Sequence, residues 1–404
     1  MDALLAPKAG ATATPRSRLS RLLALDPLDD RYPALHGLRV LAILTVVQFH
    51  VTWIFAGEQG IALDGGFVRA SLSIFFGMDL FFILSGFLIG SILLRALEEE
   101  GRQRLARFYL RRAFRTFPSY WMVLTVLALS FTLTAAQRSH LPFEYAYLTN
   151  FEPLARPEIV MFWGWSLALE EQFYLAVPLL LFALHRLRSD GARLALLGGL
   201  WCVSPVARLA IYLAHRPWSD LALYDALYFR TLTRFDTLVA GVLLALIHRR
   251  YGVRLTAWLI DPFHRALLAL PSLACLWVLA FPSLMGERNV QLVHVFAWGS
   301  LTSLMYLPAL ILLLHGEGAI RRALSAPLFR RVATLGYGVY LVHIPLCDHA
   351  IVPLAKRLER MGVGLAIVWP LSFVALMAAS LAVAYALHLL VEKPSLWLRA
   401  RLAA

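Results

Sequence analysis

Arg39 and His50 stand eleven positions apart in the run Leu-His-Gly-Leu-Arg-Val-Leu-Ala-Ile-Leu-Thr-Val-Val-Gln-Phe-His. On an ideal α-helix eleven steps make three turns plus about 20° and rise about 16 Å, so the two side chains share a face at different depths. An imidazole titrates near neutral pH and can exchange a proton, whereas a guanidinium suits an anion. A lone histidine in an apolar helix is more often a packing residue than a catalyst, but this pair has company. Gly77-Met-Asp-Leu-Phe-Phe-Ile-Leu-Ser-Gly-Phe-Leu-Ile89 sets Asp79 and Ser85 among aromatics, and a carboxylate there needs a partner on a neighbouring helix or an active-site base. Trp165-Ser-Leu-Ala-Leu-Glu-Glu-Gln-Phe-Tyr174 carries Glu170 and Glu171. Ser166 suits a helix N-cap, yet the acidic residue of a capping box belongs three positions later, at Leu169, so a cap leaves Glu170 unexplained. Further candidates are Arg234 and Asp236, Tyr340 and His343, and Glu392, for which an interfacial charge is the simpler explanation. Arg111, Arg112 and Arg115, at i, i+1 and i+4, put at least two guanidinium groups on one helix face, where they could grip phosphates bidentately.

The elements that must position these residues are membrane spans. With 60% hydrophobic and 16% charged residues, the chain falls well below the roughly one-quarter charged expected of a soluble domain. Apolar runs of spanning length fall near 34–56, 72–94, 114–135, 162–184, 192–214, 231–248, 262–284, 290–315, 330–354 and 365–391. The expected fold is therefore an all-α polytopic bundle of about ten transmembrane helices. With the N-terminus in the cytoplasm, 26 of the 38 Lys and Arg lie on the cytoplasmic side and 9 opposite, which favours both termini inside. The same bias accounts for much of the +13 net charge, so no nucleic-acid partner is called for. Cys202, Cys275 and Cys347 all lie in apolar stretches and suggest neither a disulfide framework nor a thiolate metal site. Residues 1–33 lack a signal-peptide core and are expected to be a poorly ordered cytoplasmic tail. Residues 34–394 form the membrane domain and 395–404 a cytoplasmic C-terminal tail.

Taken in order, these elements resemble the acyltransferase 3 family of bacterial integral-membrane O-acyltransferases. The resemblance runs from about Leu35 to Pro394. It rests on the Arg-x10-His pair, Gly-x-Asp-Leu-Phe-Phe-x-x-Ser-Gly-Phe, Arg-Arg-x-x-Arg, Trp-Ser-Leu-x-x-Glu, Arg234-x-Asp236 before Gly241, Tyr-Leu-x-His and Glu-x-Pro. It implies an enzyme of the bacterial inner membrane that takes an acyl group, usually acetyl, from cytoplasmic acyl-CoA without a metal. The implied acceptor is a hydroxyl of a cell-envelope glycan, a lipid-linked sugar or a secondary metabolite. It further implies that His50 is the essential histidine, as base or transient acyl carrier, with Arg39 as its partner on the thioester oxyanion or coenzyme A. Glu170 or Asp79 would be the carboxylate near His50, and Arg111, Arg112 and Arg115 would hold the nucleotide. Asp79, Ser85, Glu171, Arg234, Asp236, Tyr340, His343 and Glu392 would support the site. His36 and Val40 depart from the usual first motif, and Gly336 and Gly338 replace commoner serines. With no hydrolase-like domain expected after Pro394, any second catalytic step would be expected to use another protein or none. His343-Ile-Pro-Leu-Cys-Asp348 also matches the His-x4-Asp pattern of glycerolipid acyltransferases, but Pro345 disfavours a regular helix across it. The competing class is a secondary transporter or lipid-binding membrane protein without chemistry, since intramembrane charges also mark substrate pathways. Against it stands the lack of an obvious internal repeat.

Overall fold

The computed structural model describes residues 23–25, 28–58, 65–72, 76–99, 103–151, 159–214, 226–280 and 295–402. Residues 1–22, 26 and 27 of the expected N-terminal tail and the first residues of the eighth expected span lie outside them. The described residues form an all-α bundle. Its long helices are α1 (Pro33–Trp53), α2 (Gly77–Glu99), α3 (Gln103–Ser130), α4 (Trp165–Arg186), α5 (Asp190–Ala214), α6 (Asp236–Trp258), α7 (Pro262–Ala280), α8 (Thr302–His315), α9 (Pro327–Leu346) and α10 (Leu365–Leu387). Among the described residues eight helical stretches are long and apolar enough to cross a membrane. α3 and α6 carry more charge: Arg107, Arg111, Arg112 and Arg115 enter the first, and Arg249, Arg250 and Arg254 leave the second. The protein is an integral membrane protein, and α7 shows what that means for packing. Leu267, Leu270, Leu273 and Trp277 of that helix are exposed, which is tolerable only where the surrounding solvent is lipid.

α2 and α6 make the most extensive helix pair, and glycine is the reason. A Cβ built on Gly241 would lie 2.2 Å from the Ile83 carbonyl oxygen and 2.6 Å from the Phe87 nitrogen. Gly86, facing it, would place one 2.1 Å from the Leu238 carbonyl oxygen. Backbone thus lies against backbone, as small residues permit in membrane bundles. α9 runs between α1 and α10. Gly338, one of the two departures from serine, would put a Cβ 2.8 Å from that of Ala384, so the smaller residue suits the close approach of α10.

Prolines inside helices free a carbonyl one turn back, and two of these carbonyls are used to dock other segments. Pro345 lies inside α9, and the helix is not regular across His343–Asp348: α9 reaches Leu346 and continues as a π-helical turn, Cys347–Ile351. The Leu341 carbonyl, which has no N–H at Pro345 to accept, takes the Trp163 indole N–H at 3.2 Å. Pro118 likewise frees the Phe114 carbonyl, which accepts Ser395 Oγ–H at 2.6 Å. Ser395 sits on the short helix Lys393–Leu402, so the described part of the expected C-terminal tail is a helix packed on α3. The described residues before Pro33 also bond to the bundle. The carbonyls of Leu23, Ala24 and Leu28 accept bonds from Tyr385, Lys393 and Arg330.

Candidate functional site

A cavity lies where α1, α2, α3, α4 and α9 converge. Each helix contributes residues at its own period: Arg39 and Ile43 from α1, Met78, Phe81 and Ser85 from α2, Arg112, Arg115 and Thr116 from α3, and Gly336 and Tyr340 from α9. From α4 come Ser166, Glu170 and Tyr174, spaced i, i+4, i+8 along one stripe. Arg39, Arg112 and Arg115 stand at one end. At the other, Tyr340 Oη lies 2.6 Å from Ser166 Oγ and donates to the Trp163 carbonyl at 2.7 Å.

Glu170 lies inside this cavity, where its carboxylate accepts the Tyr174 hydroxyl at 2.9 Å; Tyr174 Oη is also 2.6 Å from Ser85 Oγ. The Arg112 guanidinium sits 4.7 Å over the Tyr174 ring. Ser85, Tyr174 and Glu170 thus form one polar chain beside two arginines. Glu171, which does not line the cavity, interacts with Thr116 of α3. Ser166 is not a cap: α4 begins at Trp165 with Gly164 as its N-cap after the 3₁₀ turn Phe162–Gly164, and the serine hydroxyl is left to meet Tyr340.

One turn beyond Tyr340 on α9, His343 is fully buried. Its Nδ1 lies 2.7 Å from the Tyr340 carbonyl oxygen and its Nε2 3.1 Å from His50 Nδ1. A carbonyl only accepts, so His343 Nδ1 carries the hydrogen, and a neutral ring must then accept at Nε2. His50 therefore donates from Nδ1, which leaves its Nε2 with a lone pair. His50 itself is half-buried. Neither histidine lines the cavity that holds Arg39, whereas Tyr340 and Ser166 do; the Tyr340 carbonyl, bonded to His343, joins the cavity wall to the pair.

The carboxylates expected beside His50 are engaged elsewhere. Glu170 belongs to the Tyr174 chain, and Asp79 pairs with Arg234 at 2.8 Å, both fully buried. Arg234 also lies 4.6 Å from the Tyr228 ring centroid. Asp236, two residues from Arg234, points to a different partner, Arg208, at 2.9 Å. Phe235 joins the short helix Thr231–Arg234 to α6 with helical backbone angles, and side chains two positions apart on a helical path point to opposite sides. Arg208 further donates to the carbonyls of Val295 and Thr233 and to Ser300. These two ion pairs bind α2, α5 and α6 together outside the cavity. Glu392 accepts from His388 at 2.7 Å across one π-helical turn, so it is more than an interfacial charge. Among the described residues no cluster of three or more His, Cys, Asp or Glu could hold a metal ion.

Sequence reasoning passed over Tyr174, Arg208, Trp163 and Glu144. Tyr174 was legible as the next step of the Ser166–Glu170 stripe. Glu144 was not: it is buried in the helix Ala135–Tyr145, and its carboxylate accepts the backbone N–H groups of Val160 and Met161 at 2.9 and 2.8 Å. This fixes the turn that carries Trp163 and delivers Ser166.

The chain was compared with known proteins. The acyltransferase 3 model, an acyltransferase domain, matches residues 32–389. The peptidoglycan O-acetyltransferase OatA of Listeria monocytogenes serovar 1/2a is 26% identical over 343 residues, 78% of this chain and 49% of the relative. YrhL of Bacillus subtilis (strain 168) is 29% identical over 335 residues, 78% of this chain and 48% of the relative. The chain spans about half the length of these curated relatives. No solved structure matches it. With nearly all of the bundle, from the entry to α1 through α10, covered by one family model, the chain belongs to the acyltransferase 3 family of acyltransferase domains.

Proposed function

We propose that this protein is a bacterial inner-membrane O-acyltransferase that moves an acyl group, acetyl in the first instance, from cytoplasmic acyl-CoA to a hydroxyl of a cell-envelope glycan. In this reading the chain crosses the membrane ten times with both termini in the cytoplasm, and α3 and α6 cross despite their basic ends, which lie at the cytoplasmic surface. The observation that carries the proposal is an arginine-bounded cavity joined through Tyr340, which lines it, to a histidine pair that does not. An extended donor with phosphates at one end and a thioester at the other fits such an arrangement.

Arg112 and Arg115 would receive phosphate charge at the cytoplasmic mouth, as guanidinium groups do bidentately. Arg39 would hold the arm of the donor. About 16 Å of helix rise separates it from His50, too far for one reacting carbonyl to touch both side chains, so donor binding is favoured over an oxyanion contact. Glu170, oriented by Tyr174, balances the charge of this channel. The thioester would pass the hydroxyls of Ser166 and Tyr340 to reach His50.

At His50, Nε2 takes the proton of the acceptor hydroxyl as its oxygen attacks the thioester carbonyl carbon. The C–S bond then breaks, the thiolate of coenzyme A leaves, and the proton passes from His50 to that sulfur. Proximity and proton transfer are the two contributions asked of the protein. The test is transfer of labelled acetyl from acetyl-CoA into envelope glycans by membranes containing wild type, His50→Ala or Arg39→Ala at equal protein levels. Transfer that requires both residues supports the proposal; no transfer from any acyl-CoA by well-expressed wild type returns the chain to the transporter class.

A further inference from the structure

Outside the cavity already described lies a second one, lined by Arg107, Arg111, Arg112, Arg115 and Arg399 with Phe108 and two aliphatic residues of α2. Arg107, Arg111 and Arg115 recur every fourth residue, one stripe along the start of α3. Arg399 comes from the other wall. The Ser395 bond to the carbonyl freed by Pro118 clamps the helix Lys393–Leu402 onto α3, and Arg399, one turn further, falls on the same face as Ser395, towards Arg107 and Arg111. Arg399 lies ten residues beyond the segment matched by the family model.

Five guanidinium groups converging on one hollow repel one another, and no carboxylate is among the described residues that line it. Glu392, at the base of the same helix, is taken by His388 at 2.7 Å. Such a site is suited to an anion of more than one charge. Arg112 and Arg115 line both cavities, so an anion here is continuous with the channel that leads past Arg39.

We infer that Arg399, with Arg107 and Arg111, binds the 3′-phosphate of the coenzyme A nucleotide, so that the C-terminal helix completes the donor site and selects coenzyme A over its dephosphorylated form. The inference rests on the acyl-CoA reading above. A phosphomonoester supplies two negative charges and three acceptor oxygens, which three forked guanidiniums can share, while Arg112 and Arg115 remain for the pyrophosphate nearer the channel. An anionic lipid headgroup offers related phosphate chemistry at the same membrane surface, and the test separates the two.

The purified protein in neutral detergent is titrated calorimetrically with coenzyme A and with 3′-dephospho-coenzyme A, with and without added phosphatidylglycerol, as wild type, Arg399→Gln and Arg107→Gln. Wild type should prefer coenzyme A by roughly ten- to hundredfold, the range for loss of charge-assisted hydrogen bonds. Arg399→Gln should erase that preference by weakening coenzyme A alone, and phosphatidylglycerol should not change it. An unchanged preference in Arg399→Gln, equal weakening of both ligands, or loss of the preference on adding phosphatidylglycerol would overturn the inference. Wild type that binds both ligands equally refutes it while leaving the donor reading intact, and wild type that binds neither removes both.

Discussion

Replacing His343 tests whether His50 acts through a fixed tautomer. His343 does not line the arginine-bounded cavity; its two ring nitrogens are occupied by the Tyr340 carbonyl at 2.7 Å and by His50 Nδ1 at 3.1 Å. It is therefore a positioning residue whose effect must pass through His50. When His50 takes a proton its Nδ1–H becomes a charged donor to His343 Nε2, and a hydrogen bond to a charged group contributes about 1.5–3 kcal/mol against about 1 kcal/mol for a neutral one. The transition state thus gains about 0.5–2 kcal/mol over the ground state from this bond, and loss of tautomer control adds to it. His343→Leu should lower kcat by roughly ten- to fiftyfold, at 1.4 kcal/mol per decade. KM for acetyl-CoA should stay within about twofold, because the arginine-lined cavity is separate. His343→Gln keeps an accepting oxygen and a donating amide and should recover most of the loss. The assay is labelled acetyl transfer in inside-out membrane vesicles, normalised to protein level. A Leu variant with kcat within about twofold of wild type, or a Gln variant no better than Leu, would refute the tautomer argument.

Three further outcomes follow from packing and pairing. Gly241→Ala drives a methyl into the backbone of α2, 2.2 Å from the Ile83 carbonyl oxygen; with no side chain to yield, the cost should reach or exceed the usual 1–3 kcal/mol of overpacking, roughly, read as a lower melting temperature of the detergent-solubilised protein. Arg208→Ala strands the fully buried Asp236, which should cost about 3–5 kcal/mol and reduce yield. The double variant Arg208→Met with Asp236→Leu should be more stable than either single change; a double variant no better than the singles would show that the pair is not the source of the loss. Tyr174→Phe removes one hydroxyl that meets both Ser85 and Glu170, and loss of about 1–2 kcal/mol of hydrogen bonding should raise KM for acetyl-CoA severalfold with little change in kcat. A kcat effect larger than the KM effect would place Tyr174 nearer the reacting carbon than the donor channel.

Much of this protein is written in local patterns. Apolar runs located the helices, because each must satisfy its own backbone in lipid, and the eleven-residue spacing of Arg39 and His50 set them on one face of one helix. The Ser166–Glu170–Tyr174 stripe was equally available, being a repeat within a single helix. Partnership across helices was not. His50 meets His343 at a separation of 293 residues, Asp79 takes Arg234 rather than a histidine, and Asp236 takes Arg208 of α5. Nor did any pattern show that Pro345 and Pro118 would free the carbonyls that dock Trp163 and the C-terminal helix. Within a helix the 3.6-residue period fixes which side chains share a face, so sequence suffices; the rotation of each helix against its neighbours is settled by close packing, such as that of Gly86 on Gly241, and only the folded bundle decides which faces meet.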